Sequence, residues 1–104
     1  QEEIFGPVAT VQRFRDADEA VRLANGTRYG LSATIWCGDF ALSHRIVRRL
    51  RAGFVTVNAV ASPQPADEGP MSGEPFGMSG SGAFGGVAGM QAYTRLQAAT
   101  FHLA

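Results

Sequence analysis

Leu31-Ser32-Ala33-Thr34-Ile35-Trp36-Cys37 and Phe54-Val55-Thr56-Val57-Asn58-Ala59-Val60 decide how this chain folds. Both are short and read as strands, and the second is nearly all apolar and β-branched. Strands of that kind belong in a sheet covered on both faces. Between them lies a helical pattern. Asp39 is placed to cap it, and Leu42, Ile46, Val47 and Leu50 recur on one face from Phe40 to Ala52. Gly53 ends it. Strand, helix, strand in that order implies parallel pairing through a crossover.

The same reading extends towards the amino end. Val8 to Phe14 alternates imperfectly, with Val8, Val11 and Phe14 apolar, and is expected to be a strand. Asp16 and Glu19 form a start like a capping box for a helix over Ala17 to Asn25, and Gly26 suits its end. Towards the carboxyl end, Ala61 to Gly86 is a long Pro/Gly/Ser-rich loop, longer than an ordinary connector. Val87 to Gln97 is expected to be a helix and Ala98 to Ala104 a terminal strand. The predicted fold is α/β: a parallel β-α-β-α-β unit, a Gly/Pro-rich loop, a helix and a last strand.

Composition bounds the function. The chain has 104 residues, 45% hydrophobic and 17% charged, with a formal net charge of zero. One small domain fits that length. Zero net charge argues against nucleic acid or an anionic membrane as partner. No apolar run approaches the ~18 residues of a membrane span. Cys37 is the only cysteine, so no internal disulfide forms, which favours a reducing, cytoplasmic setting. It follows an apolar strand without a cationic cluster to activate it, and reads as a small hydrophobe.

Three patterns are set aside. Gly80-Ser81-Gly82-Ala83-Phe84-Gly85 spells G-x-G-x-x-G, but a Pro/Gly loop precedes it and no acidic residue follows. A dinucleotide fingerprint needs a strand before and an acid about 20 residues after. His44, Arg45, Arg48, Arg49 and Arg51 make a basic helix face. The solvated reading, with cations favoured near a helix C-terminus, outweighs a nucleic-acid patch. His44 and His102 lack companions at metal-ligand spacing, and no metal is expected.

Glu2-Glu3-Ile4-Phe5-Gly6-Pro7 resembles the E-E-I-F-G-P segment of the NAD(P)-dependent aldehyde dehydrogenases. Other segments follow that family's order. They are Asp18-Glu19-Ala20, Ala24-Asn25, Tyr29-Gly30-Leu31-Ser32-Ala33, Ala52-Gly53-Phe54-Val55-Thr56-Val57-Asn58, Pro75-Phe76-Gly77, Ser79-Gly80-Ser81-Gly82 and Ala92-Tyr93-Thr94. Each is weak alone; their shared order carries the resemblance. It implies the C-terminal part of an aldehyde dehydrogenase catalytic domain over residues 1–97, and an oligomerisation strand over 98–104 that extends a neighbouring subunit's sheet.

The resemblance also implies site residues. Glu3 would bind the nicotinamide ribose of NAD or NADP, and Phe5 would pack near the nicotinamide ring. A carboxylate offers two acceptor oxygens to a diol's two donors, which suits the first role. Phe76 resembles the aromatic lining the aldehyde pocket, though a loop aromatic filling an apolar gap reads equally well. Asn58 stands where the family keeps an Asn near the active site; a cap or turn role is equally open.

In the family, the nucleophilic Cys, the Glu base and the oxyanion hole precede E-E-I-F-G-P. No catalytic residue is therefore assigned here. The chain is expected to be an inactive C-terminal fragment of an enzyme oxidising aldehydes to carboxylic acids, and to form homo-oligomers through sheet edges. The alternative is a non-catalytic remnant serving as an assembly module. Two departures stand out. After Pro75-Phe76-Gly77 the family's second Gly and its Lys are missing, and Ala83-Phe84 replaces the usual Arg-Glu.

Overall fold

Two aspartates start the two main helices. Asp16 accepts the Glu19 N–H at 2.8 Å and opens α1 (Ala17–Ala24). Glu19, at the third helical position, reaches back past the cap to accept from the Arg15 N–H at 3.0 Å, a variant of the capping box. Asp39 accepts the Leu42 N–H at 3.0 Å and opens α2 (Phe40–Val47). The Ser43 hydroxyl, buried to 3% exposure, donates to the Asp39 carbonyl at 2.8 Å. The computed structural model describes residues 2–59, 73–83 and 85–102.

The expected parallel pair forms. β2 (Ser32–Ile35) lies parallel to β3 (Phe54–Val57), in register from Ser32 opposite Phe54 to Ile35 opposite Val57. The Asn58 N–H extends the ladder to the Ile35 carbonyl at 2.8 Å. A second, antiparallel pair was not expected. β1 (Tyr29–Gly30) faces β4 (Phe76–Gly77), Tyr29 opposite Gly77 and Gly30 opposite Phe76. Part of the loop read over 61–86 is thus a sheet edge. Val60 and residues 61–72 lie outside the described residues.

Two predicted strands are not strands here. Val8 to Phe14 pairs with nothing; its one backbone bond, Val8 N–H to the Gly6 carbonyl at 2.8 Å, closes a tight turn. Val11 is 93% exposed. Residues 98–102 likewise carry no ladder, and 103–104 lie outside the described residues. The physical reason is the same for both. A strand exists only when a neighbour takes its N–H and C=O groups, and the described residues offer none at either place.

The last helix is also shorter than expected. α3 spans Gly86–Gln91, against a predicted 87–97. Its cap, Gly85, has no side chain to accept an N–H, and Gly86 and Gly89 lower its intrinsic helicity. α2 stops at Val47 rather than Ala52. Beyond it the Arg49 N–H turns to the Ile46 carbonyl at 2.9 Å, a tightened last turn.

Packing is sparse. Val21, on the inner face of α1, is the one buried apolar side chain among the described residues, at 4% exposure. All four residues of β3 are only half-buried. The radius of gyration is 18.5 Å, against about 13 Å for a compact domain of this length. The β-α-β unit is therefore built, while the layers that would cover it are not supplied by these residues.

Candidate functional site

Glu3 and Phe5 are two residues apart, the spacing that sets side chains on one side of an extended chain. Both line one open cleft of about 600 Å³. The end of α1 (Asn25), the β1–β2 stretch from Tyr29 to Ala33, Arg51 and Ser79 form the opposite walls. Glu3 is exposed, and its carboxylate has no ion pair or hydrogen bond among the described residues. Both oxygens are free to accept. Phe5 is 87% exposed and presents a bare ring beside them.

Phe76 is not in that cleft. It lines a neighbouring one of about 380 Å³, with Arg28 and Gly77. The two clefts share a wall of Thr27, Tyr29, Arg51 and Met78. Glu3 and Phe76 thus stand on either side of the β1 edge.

Asn58 lines neither cleft. Its carboxamide is used on Cys37: the Cys37 N–H donates to Oδ1 at 2.8 Å, and Nδ2 donates to the Cys37 carbonyl at 2.8 Å. Its backbone adopts φ 54°, the one non-glycine residue with positive φ among those described. Asn is among the few side chains that tolerate this region. The thiol of Cys37 is half-buried and donates to the Asp39 carbonyl at 3.4 Å.

Two polar anchors escaped the sequence reading. Asn25, which caps the end of α1, donates from Nδ2 to the Arg49 carbonyl at 2.8 Å and accepts the Arg51 N–H at 2.9 Å. It ties the helix to the connection entering β3 and so holds one wall of the Glu3 cleft. Ser79 accepts the Gly30 N–H at 2.9 Å and ties the Phe76 segment to β1. Position within Ala24-Asn25-Gly26 marks a helix end, but nothing local reveals either distant partner.

Charge is balanced away from the clefts. Hydrogen bonds from the Arg15 side chain and backbone, then from Arg22, hold the Glu19 carboxyl below its ordinary 4.5. Arg49, bonded to Asp18, lowers that carboxyl below its ordinary 3.8. The basic cluster at and beyond the end of α2 is therefore partly committed within the chain. Among the described residues, no three His, Cys, Asp or Glu side chains group as metal ligands, and no helix is long and apolar enough to cross a membrane.

A sequence profile of the aldehyde dehydrogenase family matches residues 1–99. The NADP/NAD-dependent aldehyde dehydrogenase PuuC of Escherichia coli (strain K12) is 40% identical over 100 residues, covering 93% of this chain and 19% of the relative. An aldehyde dehydrogenase of Aspergillus niger is 41% identical over 103 residues, covering 99% of this chain and 20% of the relative. The chain thus spans about a fifth of the length of these curated relatives. Among solved structures, a mutant of P. syringae AldA indole-3-acetaldehyde dehydrogenase, in complex with NAD+ and IAA, superposes with a TM-score of 0.82. It shares 38% identity, over 93% of this chain and 19% of that one.

Proposed function

This chain belongs to the aldehyde dehydrogenase family, and on that premise we propose that it is the C-terminal part of an enzyme that oxidises an aldehyde to a carboxylic acid with NAD or NADP. Its contribution is cofactor and substrate positioning. The nucleophile and the base come from other parts of the polypeptide. One observation carries this reading: Glu3, with an uncommitted carboxylate, and Phe5, with an exposed ring, line the same open cleft.

The residues fit a nicotinamide ribose. A vicinal diol donates two hydrogen bonds, and an ionised carboxylate accepts both on separate oxygens. Bonds to a charged acceptor contribute roughly 1.5–3 kcal/mol. Phe5 covers one flank with a flat apolar surface, restricting the ring beside the ribose. NAD(P), when bound, supplies the hydride acceptor. Phe76, across the shared wall, limits the aldehyde's side of the pocket. Asn58 acts on that pocket from a distance, by fixing the end of β2 at Cys37.

Residues 98–104 serve assembly, adding as a strand to the sheet of a neighbouring subunit. Leu96 and Phe101 are fully or largely exposed, and their backbone has no ladder among the described residues. Strand addition would give those groups partners. Homo-oligomers follow from it.

The test is Glu3→Gln in the complete enzyme. Removing the charge and one acceptor should lower kcat/KM for the cofactor by about 10- to 150-fold. An unchanged value would remove the ribose role.

A further inference from the structure

Ser79 lines the Glu3 cleft and follows Met78, which lines both clefts. Its hydroxyl oxygen accepts the Gly30 N–H at 2.9 Å, across 49 residues of sequence. Gly30 is buried and Ser79 half-buried. On the other edge, the Gly30 carbonyl accepts the Gly53 N–H at 3.1 Å. Gly30 therefore joins the β2–β3 unit to the Phe76 segment, and the second join is made by a side chain.

The segment is held at its start, where Gly73 and Glu74 lie close against Phe54 and Gly53, and beyond Pro75 by few other ties. β4 has two residues, and so short a ladder is weak alone. The Met78 N–H adds a bond to the Arg28 carbonyl at 2.8 Å. Gly77 turns the chain at φ 58°, and the Ser79 N–H closes the turn on the Phe76 carbonyl at 3.3 Å. This turn brings the hydroxyl back to β1. It also seats Met78, which lines both the Glu3 cleft and the Phe76 cleft. Contact is close on the strand side as well: a Cβ added to Gly30 would strike the Phe76 Cβ and the Arg51 carbonyl.

We infer that Ser79 is a positioning residue for the aldehyde. Its bond to Gly30 sets where Phe76 and Met78 stand relative to the cofactor cleft. The inference rests on the proposed role of Phe76 in the aldehyde pocket. Ser79 touches no reacting atom; it acts through the loop it fastens. Losing the bond lets Phe76 and Met78 shift while leaving Glu3, on a separate segment, where it is.

The experiment compares Ser79→Ala and Ser79→Thr in the complete enzyme, with two readouts. Amide exchange at Gly30 should accelerate about 2- to 12-fold in Ser79→Ala, the loss of one neutral hydrogen bond. KM for the aldehyde should rise by a similar factor, and by more than KM for NAD(P), whose cleft Met78 and Ser79 also line. Ser79→Thr keeps a hydroxyl and should restore both. Unchanged Gly30 exchange in Ser79→Ala would overturn the inference. So would equal rises in both KM values that Thr does not rescue, which mark a general loss of structure. If the unsubstituted enzyme oxidises no aldehyde, the proposed function fails, and Gly30 exchange still decides whether Ser79 holds the loop.

Discussion

Substituting Asn58 separates two jobs that one side chain does. Asn58→Gly keeps the left-handed backbone and deletes both bonds to Cys37, each 2.8 Å long. At about 0.5–1.5 kcal/mol per bond, local opening at the end of β2 becomes easier by about 1–3 kcal/mol. Asn58→Ala loses the same bonds and adds the cost of a Cβ at φ 54°, roughly 1–2 kcal/mol more. The assay is amide exchange at position 58, whose N–H donates to the Ile35 carbonyl at 2.8 Å at the end of β2, measured in the complete enzyme relative to each residue's intrinsic rate. It should accelerate about 5- to 150-fold in the Gly variant, and a further ~5- to 30-fold in the Ala variant. The order matters more than the size. Equal rates in the two variants would refute the strain argument. Rates within about twofold of the unsubstituted protein in both would refute the clamp itself.

Three further outcomes follow from the same contacts. Gly30→Ala places a Cβ against the Arg51 carbonyl and the Phe76 Cβ, and overpacking of this kind costs about 1–3 kcal/mol; an unshifted thermal midpoint would contradict it. The Glu19 carboxyl is held below 4.5 by Arg15 and Arg22, so its stabilising contribution is full above pH 4.5 and fades as pH falls through the lower folded value. Helical circular dichroism on acidification should lose that dependence in Glu19→Gln; an identical acid profile in the variant would count against the contact. Residues 1–104 expressed alone should associate and bind a hydrophobic dye, because fifteen large apolar side chains are exposed among those described. Covering each would contribute roughly 1.5–3 kcal/mol, and a few such residues equal a domain's net stability. A single monomeric species in sedimentation, without dye binding, would contradict this.

What the sequence disclosed was whatever physics acts locally. Asp16 and Asp39 announce their helices because an N-cap needs only the next three residues. The β2–β3 pair was legible because two strand-like runs flank one helix. Val8 to Phe14 and the tail from Ala98 were read as strands from the same kind of signal. A ladder also needs a partner, which composition cannot reveal. β1 and β4 are too short to show alternation. The bonds from Asn25, Asn58 and Ser79 all join residues far apart in sequence, so no periodicity points to them. Glu3 and Phe5 were singled out through resemblance alone, and the cleft they line together is seen only beside the walls they face.

The most direct test of the central claim is a crystal structure of the complete enzyme with NAD or NADP bound. Both Glu3 carboxylate oxygens should lie within about 2.5–3.0 Å of the two hydroxyls of the nicotinamide ribose, with Phe5 against the ring. A Glu3 carboxylate facing solvent, with that ribose held by other side chains, would contradict the account.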